Sequence, residues 1–409
     1  MMIKIKSSLL VANIALVFSA QSMASEFVQI DPLSLDQLKT ELTQHQAKDL
    51  VTEKYQSLIA QANKDLNMKN PTVMDKTFMP PSKDKHDYLS ISRYWWPDPN
   101  KKDGLPWIRK DGQTNPKTQT DDVDRPRISL MSHSVYKLAL AYYLTGETKY
   151  AQKASNMLKT WFLDPKTKMN PNLDWAQIVP GKNQSRRAGI LDGRFIQTMI
   201  LDAVKMLEKS PTWSTEDDQQ MDKWLQDHLT WLTTSKVGMD GAAQKNNHGT
   251  WYRFQVSSLA YYLNDRDIAQ KAIDDTKKSM KTQFATDGSQ PEELARTRSF
   301  FYSCFNLNAL SRVAIVADKF GDPIWKYEPS AGKSIQAGFD FVMPVIHGKK
   351  WKFATPGIKE DYCIPAIVKY NQFNQDHNYK QELQMITKYQ GKDVQKVYNQ
   401  MAILDNKEM

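Results

Sequence analysis

The segment Leu259-Ala260-Tyr261-Tyr262-Leu263, followed by Ala269-Gln270-Lys271-Ala272, repeats an earlier pair, Leu140-Ala141-Tyr142-Tyr143-Leu144 and Ala151-Gln152-Lys153-Ala154. Each pair joins the end of one apolar helix pattern to the start of another, so it predicts a recurring helical hairpin. Such hairpins stack into a linear solenoid or close into a toroid. We favour a closed α/α barrel, which would arrange four connecting loops around a central cleft: 71–126, 165–189, 236–249 and 285–298.

Apolar residues at spacings of three and four predict helices over most of the chain, and the expected fold class is all-α. The exception is 71–126, where eight prolines exclude a continuous helix. A loop of that length in a compact domain usually has a function, so we expect a lid or a substrate-binding wall. The predicted helices run over 35–66, 130–144, 149–162, 190–207, 216–232, 250–263, 268–284, 299–320, 335–345, 381–389 and 394–403.

Residues 1–24 have the pattern of a cleavable secretory signal peptide. Lys4 and Lys6 precede an apolar run, and Ser22-Met23-Ala24 matches a small-x-small cleavage site. The run is too short for a membrane span, no lipoprotein cysteine follows it, and we predict no span elsewhere in the chain. We therefore expect a periplasmic or secreted protein whose residues 25–409 form a single barrel domain.

Basic residues outnumber acidic ones by 55 to 46, which favours polyanionic partners. The sequence contains no Lys/Arg-rich block and no nucleic-acid-binding motif, so we do not expect nucleic acid as the partner. An acidic polysaccharide fits both the charge and an exported protein. The sequence has no zinc or nucleotide motif, so it predicts no cofactor and no metal, and it specifies no oligomeric state.

The chain has two cysteines, Cys304 and Cys363. Two are too few for a disulfide scaffold, even in an oxidising compartment. We expect them to be buried free thiols, with a single disulfide as the alternative.

A first candidate site is Asn246-Asn247-His248-Gly249, a polar segment directly before the helix predicted from Thr250. The two amides are uncharged hydrogen-bond donors, the imidazole titrates near neutrality, and Trp251-Tyr252 follow at once. The alternative is an ordinary turn in which Thr250 caps the helix. We favour a segment that faces a cleft and holds a substrate carboxylate.

A second candidate site runs from Glu292 to Ser303. Arg298 and Tyr302 are four residues apart, so on a helix they would share a face, and a guanidinium there would favour ionisation of the phenol. Arg296 would be free to face a cleft if it lay in the loop before the helix. The alternative is an ordinary surface helix start with acidic residues in its first turn.

Together the two segments match the requirements of β-elimination from a uronic acid. The C5 proton lies next to a carboxylate, which must be neutralised before the carbanion can form, and amide, imidazole and guanidinium groups can do this. A base then removes the proton while an acid protonates the departing O4, and a phenol can serve in either role.

At this point the chain resembles the bacterial alginate lyase superfamily, which are polysaccharide lyases with an α/α barrel catalytic domain. The resemblance spans roughly residues 80 to 320 and implies the same catalytic fold and β-elimination of alginate or a related polyuronate. The matching motifs are Asn-Asn-His-Gly-Thr-Trp at 246–251, Glu-Leu-Ala-Arg-Thr-Arg-Ser at 293–299 with Tyr-Ser at 302–303, Tyr-Trp-Trp-Pro-Asp-Pro at 94–99, Gly-Leu-Pro at 104–106, Asn-Pro at 115–116, Pro-Gly at 180–181 and Ala-Gly-Ile-Leu-Asp at 188–192.

The resemblance implies that Asn247, His248 and an arginine neutralise the substrate carboxylate. Tyr302 would be both base and acid in a syn elimination, or the acid alone, with His248 as base, in an anti elimination. In the best-known members the arginine precedes the tyrosine by seven residues, whereas here Arg296 precedes it by six and Arg298 by four. We assign neutralisation to Arg296, from its Glu-Leu-x-Arg context, and substrate binding to Arg298.

Further residues are predicted to bind substrate from the loops around the cleft, and two other functions stay open. One alternative is an α/α-barrel glycoside hydrolase that uses a pair of carboxylates. The other is a binding protein for acidic glycans without catalytic activity. The candidate residues that bind substrate in the lyase are Asn246, Arg186, Arg187, Tyr94, Trp95 and Trp96. The candidate carboxylates of the hydrolase alternative are Asp240, Asp287, Glu292 and Glu293.

Overall fold

The computed structural model describes residues 27–182 and 186–406, so the predicted signal peptide at 1–24 lies outside the described residues. Sixteen α-helices are found within the described ranges. They are α1 Pro32–Thr43, α2 Asp49–Asp65, α3 Arg125–Thr145, α4 Thr148–Leu158, α5 Ile190–Phe195, α6 Leu201–Leu207, α7 Thr215–Thr234, α8 Lys236–Ala242, α9 Asn247–Tyr262, α10 Arg266–Gln283, α11 Pro291–Leu294, α12 Ser299–Lys319, α13 Ile335–Val342, α14 Ile364–Phe373, α15 Lys380–Thr387 and α16 Val394–Asp405.

The helices form two concentric rings, and the inner ring closes. In order around the inner ring come α3, the α5–α6 segment, α9, α12, α14 and α16, and α16 packs back against α3. Outer helices cover them, with α4 on α3 and α10 on α9, so both repeated sequence pairs are hairpins of one inner and one outer helix. The predicted α/α barrel is confirmed.

Burial explains which helices lie inside. On α12, 18 of 21 residues are buried, and on α9, 14 of 16, because these helices contact neighbours on every side. In contrast, α10 buries a single stripe that includes Ala269, Ile273 and Met280, as expected for an amphipathic outer helix.

The helix α12 corrects one sequence prediction. We predicted that no segment after the signal peptide could span a membrane, but Ser299–Lys319 is long and apolar enough by length and composition. Within the protein, 94% of its apolar window is buried. It is therefore a buried helix of the inner ring, and its apolar residues pack against the neighbouring helices.

Several predicted helix boundaries were wrong. The helix predicted over 35–66 is two helices, because the chain turns at His45, which has a φ of 56°. The 190–207 segment is continuous but has a π-helical turn at Ile196–Ile200, and α4 ends in another at Lys159–Leu163. Three helices were missed: α14; α11, which lies inside the predicted 285–298 loop; and α8, which begins inside the predicted 236–249 loop and contains two glycines.

The 71–126 segment contains three short strands and two single-turn 3₁₀ helices, Val73–Asp75 and Pro116–Thr118, before α3 begins, and it is attached to the barrel. Strand β1 (Leu89–Ile91) pairs in parallel with β4 (Trp175–Ile178), while β2 (Trp95–Trp96) pairs with β3 (Ile108–Arg109) in antiparallel fashion. Below them, the fully buried ammonium of Lys76 lies 3.0 Å from Asp124 at the start of α3. This ion pair anchors the segment beside the N-terminal ends of the inner helices.

The two cysteines form a disulfide bond, which corrects the expectation of free thiols. Cys304 on α12 is bonded to Cys363, the residue directly before α14. Both are fully buried, and the bond links two neighbouring inner helices. The sequence separation of 59 residues gave no local signal that these positions would meet.

Candidate active site

One cleft of about 450 Å³ lies where the N-terminal ends of α3, α5, α9 and α12 meet. The start of a helix carries a partial positive charge and unpaired N–H groups, so four such ends favour an anionic ligand. The side chains add to this charge, because the only acidic residues among the cleft's described lining residues are Asp192 and Glu292. The lining arginines are Arg93, Arg109, Arg125, Arg186, Arg194 and Arg296.

The first turn of α9 supplies the amide and imidazole of the cleft. The helix begins at Asn247, not at Thr250, and the side chain of Asn246 caps it by accepting from the backbone N–H of His248 at 3.1 Å. Asn247 and His248 therefore lie in the helix and not in the loop before it. Gly249 is required here, because a Cβ would lie 2.0 Å from the carbonyl oxygen of Gln244.

A buried carboxylate holds Asn247 in place. Glu293, on α11, accepts the backbone N–H of Asn247 at 2.6 Å and its side-chain Nδ2 at 2.7 Å. Both residues are almost completely buried, at 1% and 0% exposure. Burial raises the pKa of Glu293 to about 7, although the hydrogen bonds from Asn247 and the charge of Arg296 oppose this shift.

The phenol of Tyr302, on α12, lies in a small hydrogen-bond network. Arg296 donates from Nη2 to the Tyr302 oxygen at 2.9 Å, and its guanidinium lies 3.8 Å from the centre of the Tyr302 ring. Tyr302 in turn donates to the hydroxyl of Tyr94 at 3.0 Å. Tyr302 and His248 both line the same cleft, as the sequence predicted.

An aspartate from the 71–126 segment fixes this arginine. Asp111 accepts from Arg296 Nε at 3.1 Å and from Nη2 at 2.7 Å, and also from the hydroxyl of Thr297 at 3.0 Å. The guanidinium holds the pKa of Asp111 well below its usual range, although burial opposes the effect. The adjacent Gly112 has a φ of +74°, and a Cβ there would lie 2.6 Å from Thr297.

The phenol differs from the sequence expectation in its protonation. Burial raises the pKa of Tyr302 above its ordinary value, and the neighbouring Tyr94 adds to the rise, while Arg296 only partly offsets it. The expectation of a depressed phenol pKa was therefore wrong for the free site, since desolvation outweighs the guanidinium. At neutral pH Tyr302 carries its proton.

Comparison with known proteins connects this cleft to a family. The family model described as alginate lyase matches residues 72–352, which include the cleft residues on α9, α11 and α12. The chain belongs to the alginate lyase family.

Solved structures of alginate lyases agree with this assignment. A structure of an alginate lyase from Bacteroides ovatus is 34% identical, with a TM-score of 0.83, and the match covers 91% of this chain and 99% of that one. Alginate lyase A1-III from Sphingomonas species A1 is 17% identical, with a TM-score of 0.51 over 80% of this chain and 82% of that one. A histidine-to-alanine variant of A1-III, complexed with a tetrasaccharide, is 15% identical, with a TM-score of 0.53 over 95% and 99%.

These two A1-III matches are evidence for the fold alone. The search of curated proteins gives no significant match. The family and the 34% identical structure confirm the sequence predictions of the family and of a polysaccharide lyase with a helical barrel.

Not every predicted binding residue of this alginate lyase family member lines the cleft. Arg298 occupies the N-cap position of α12 without a side-chain capping hydrogen bond, donates to the Tyr362 hydroxyl at 3.2 Å and is absent from the lining. Trp96 is also absent from it and donates to the Gln113 carbonyl. Trp95 does line the cleft, but Lys182 and Arg186 lie over its ring. The side chain of Arg187 lies outside the described part of the structure.

Sequence reasoning missed several residues in and beside the cleft. Asp111, which orients Arg296, lies in the proline-rich segment, and nothing in its local spacing indicates this contact. Arg125 and Arg194 line the cleft, and their local sequence gave no signal of it either. Asp192 accepts from Ser90 at 2.6 Å and lies 3.4 Å from Arg125. The motif at 188–192 was the one signal that pointed to Asp192. Among the described residues no group of three or more His, Cys, Asp or Glu could hold a metal ion.

Proposed function

We propose that this protein cleaves alginate, as polymannuronate or a related polyuronate, by β-elimination in the cleft between α9 and α12. The observation that carries the proposal is that one arginine-lined cleft holds the amide of Asn247, the imidazole of His248 and the phenol of Tyr302. The alginate lyase family model and the 34% identical alginate lyase structure support this substrate.

Asn247 and His248, in the first turn of α9, are proposed to neutralise the uronate carboxylate. The positive ends of the inner helices lower the energy of the enediolate that forms when C5 loses its proton. Arg296 contributes its charge as well, but the bidentate pair with Asp111 already balances much of it. We therefore assign Arg296 a second role, in which it orients the Tyr302 hydroxyl.

The proton transfers follow from the protonation of Tyr302. In an anti elimination, His248 takes the C5 proton, a double bond forms between C4 and C5, the C4–O4 bond breaks, and the protonated phenol gives its proton to O4. In a syn elimination, Tyr302 must first ionise, after which one oxygen takes the C5 proton and returns it to O4. Arg296 is the group that favours this ionisation.

The glycoside hydrolase alternative finds little support in the cleft. Asp240 pairs with Lys236 and, like Asp287, does not line the cleft. Both oxygens of Glu293 accept hydrogen bonds from Asn247, so Glu292 is the only one of the four predicted carboxylates in the described lining. The other acidic lining residue, Asp192, already accepts from Tyr88, Ser90 and Gln177 and pairs with Arg125. A hydrolase needs two carboxylates that flank the scissile bond.

We also propose that the protein is exported to the periplasm or secreted. The signal pattern of residues 1–24 supports export. The disulfide between Cys304 and Cys363 supports the same proposal, because such bonds persist mainly in oxidising compartments.

The test of the activity is a substrate panel followed by ultraviolet absorbance of the unsaturated uronate. Polymannuronate, polyguluronate, glucuronan and hyaluronan are compared with polymannuronate whose carboxylates have been reduced to alcohols. We expect unsaturated product from polymannuronate or another polyuronate and none from the reduced polymer, since elimination requires the acidifying carboxylate. New reducing ends without unsaturation would favour the hydrolase, and binding without any product would favour the glycan-binding protein.

A further inference from the structure

The hydrogen bonds of Asn247 conflict with the role that the proposed function gives this residue. Its Nδ2 end is turned toward Glu293, while its Oδ1 is buried and has no hydrogen-bond partner among the described residues. Asn247 lines the cleft, where a uronate carboxylate offers only acceptor oxygens. In this orientation the Nδ2 group of Asn247 donates to Glu293 and is not available to the substrate carboxylate.

A half-turn of the amide would resolve the conflict if Glu293 carried a proton. The Nδ2 hydrogens would then be available to the substrate, and Oδ1 would face Glu293. Two oxygens that meet in this way need a hydrogen between them, and a protonated Glu293 supplies it. The other oxygen of Glu293 would keep the backbone N–H of Asn247, which it now accepts at 2.6 Å.

Charge favours the same change. An ionised Glu293 and a substrate carboxylate would lie at opposite ends of one small amide, and like charges at that separation raise the cost of keeping both ionised. Glu293 is 1% exposed, so water cannot screen it effectively. The charged groups that act on it are Glu292 on its own helix and Arg296 just beyond it. His248 on α9 and Tyr302 on α12 line the adjoining cleft.

We propose that Glu293 is a positioning residue that takes up a proton when substrate binds, and that its protonated carboxyl turns the amide of Asn247 toward the uronate carboxylate. The inference rests on the proposed function. No covalent step is involved, since the proton comes from solvent and returns to it on product release. Burial already raises the pKa of Glu293 to about 7, so uptake needs little further change.

The first experiment compares the pH dependence of KM in three variants. Glu293→Gln imitates the protonated carboxyl, because its amide donates to Oδ1 of Asn247 and its oxygen accepts the backbone N–H. We expect the wild-type KM to rise above pH 7 by up to about tenfold per pH unit, and Glu293→Gln to remove most of this rise. Glu293→Ala should raise KM at every pH, and Glu216→Gln, an exposed glutamate on α7 that does not line the cleft, should keep the wild-type slope.

The second experiment measures protons without turnover. A mannuronate tetrasaccharide is titrated calorimetrically into the Tyr302→Phe variant at pH 8, in buffers of different ionisation enthalpy, to count the protons taken up on binding. The double variant that also carries Glu293→Gln should take up about one proton fewer per bound tetrasaccharide. All other titratable groups are the same in the two proteins, so the difference reports Glu293. Equal uptake in the two proteins, or a Glu293→Gln variant as impaired as Glu293→Ala, would refute the inference. Absence of both lyase product and binding in the wild type would instead refute the proposed function.

Discussion

Asp111 gives the sharpest test of how the protein holds its catalytic phenol. It is far from the other site residues in sequence, and it accepts two hydrogen bonds from Arg296, at 3.1 and 2.7 Å. The same arginine donates to the Tyr302 hydroxyl. Replacement of Asp111 by Asn keeps one acceptor but turns an amide donor toward the guanidinium, so Arg296 should leave its position.

The expected magnitude follows from the burial of this pair. The side chains of Arg296 and Asp111 are 16% and 19% exposed, so solvent screens them only in part. Loss of one charge-assisted hydrogen bond costs about 1.5–3 kcal/mol, and we expect the free energy of unfolding to fall by about 2 kcal/mol. If the lost orientation of Tyr302 costs a similar amount in the transition state, kcat should fall by about 10- to 100-fold.

The assay combines initial rates of unsaturated product formation on polymannuronate with urea denaturation. The matched control is Asp103→Asn, an exposed aspartate of the same segment whose carboxylate accepts only from the backbone of Leu105. The control should change neither quantity. A folded Asp111→Asn protein with wild-type kcat would refute the claim that Asp111 orients Tyr302 through Arg296.

Three further predictions concern other parts of the site and fold. Arg298→Ala should lower kcat less than about threefold and Arg296→Ala more than about 100-fold, because of the two arginines Arg296 is the one that donates to Tyr302. Initial rates in which Arg298→Ala was the slower variant would contradict this. Joint replacement of Cys304 and Cys363 by serine should lower the free energy of unfolding by about 4 kcal/mol, since the bond joins positions 59 residues apart; an unchanged urea midpoint would argue against it. Because the pKa of Glu293 is raised to about 7 in the folded protein, the folded state binds a proton that the unfolded chain releases above pH 4.5. The free energy of unfolding of the wild type should therefore fall between pH 4.5 and 7, by up to about 3 kcal/mol relative to that of Glu293→Gln. Urea denaturation measures the difference between the two proteins, and the same difference at pH 5 and pH 8 would contradict this prediction.

Much of the fold could be predicted from the sequence because helix periodicity is a local property. The two repeated segments at 140 and 259 are inner helix ends that turn into outer helices, as their pattern indicated. The short helix α8 escaped notice because glycine is unfavourable inside a helix. There Gly238 is selected by packing, since a Cβ would lie 2.0 Å from the carbonyl oxygen of Leu232.

The start of α9 shows where local signals stop being sufficient. Asn246, Asn247 and Thr250 are all good capping residues within five positions, so the sequence cannot rank the three possible helix starts. The choice depends on Glu293, whose carboxylate accepts the backbone N–H of Asn247 from 46 residues away. This contact draws Asn247 and His248 into the helix and fixes their direction.

The two arginines illustrate the same limit. The spacing of four between Arg298 and Tyr302 favours contact only inside a helix. The helix α12 begins at Ser299, and Arg298 lies before it at the N-cap position with non-helical backbone angles. The side chain of Arg298 therefore donates to the Tyr362 hydroxyl and not to Tyr302. Arg296 reaches Tyr302 because Asp111, 185 residues away, holds it there, and no local pattern records that contact.

The central claim is that Tyr302 transfers a proton in a β-elimination. It is tested most directly by the rate of unsaturated uronate formation from polymannuronate by the wild type and by Tyr302→Phe, with circular dichroism to confirm the fold. We expect the wild type to form the chromophore and Tyr302→Phe to lose at least about 100-fold in kcat while it still binds the polymer. A folded Tyr302→Phe protein with turnover close to that of the wild type would contradict the account.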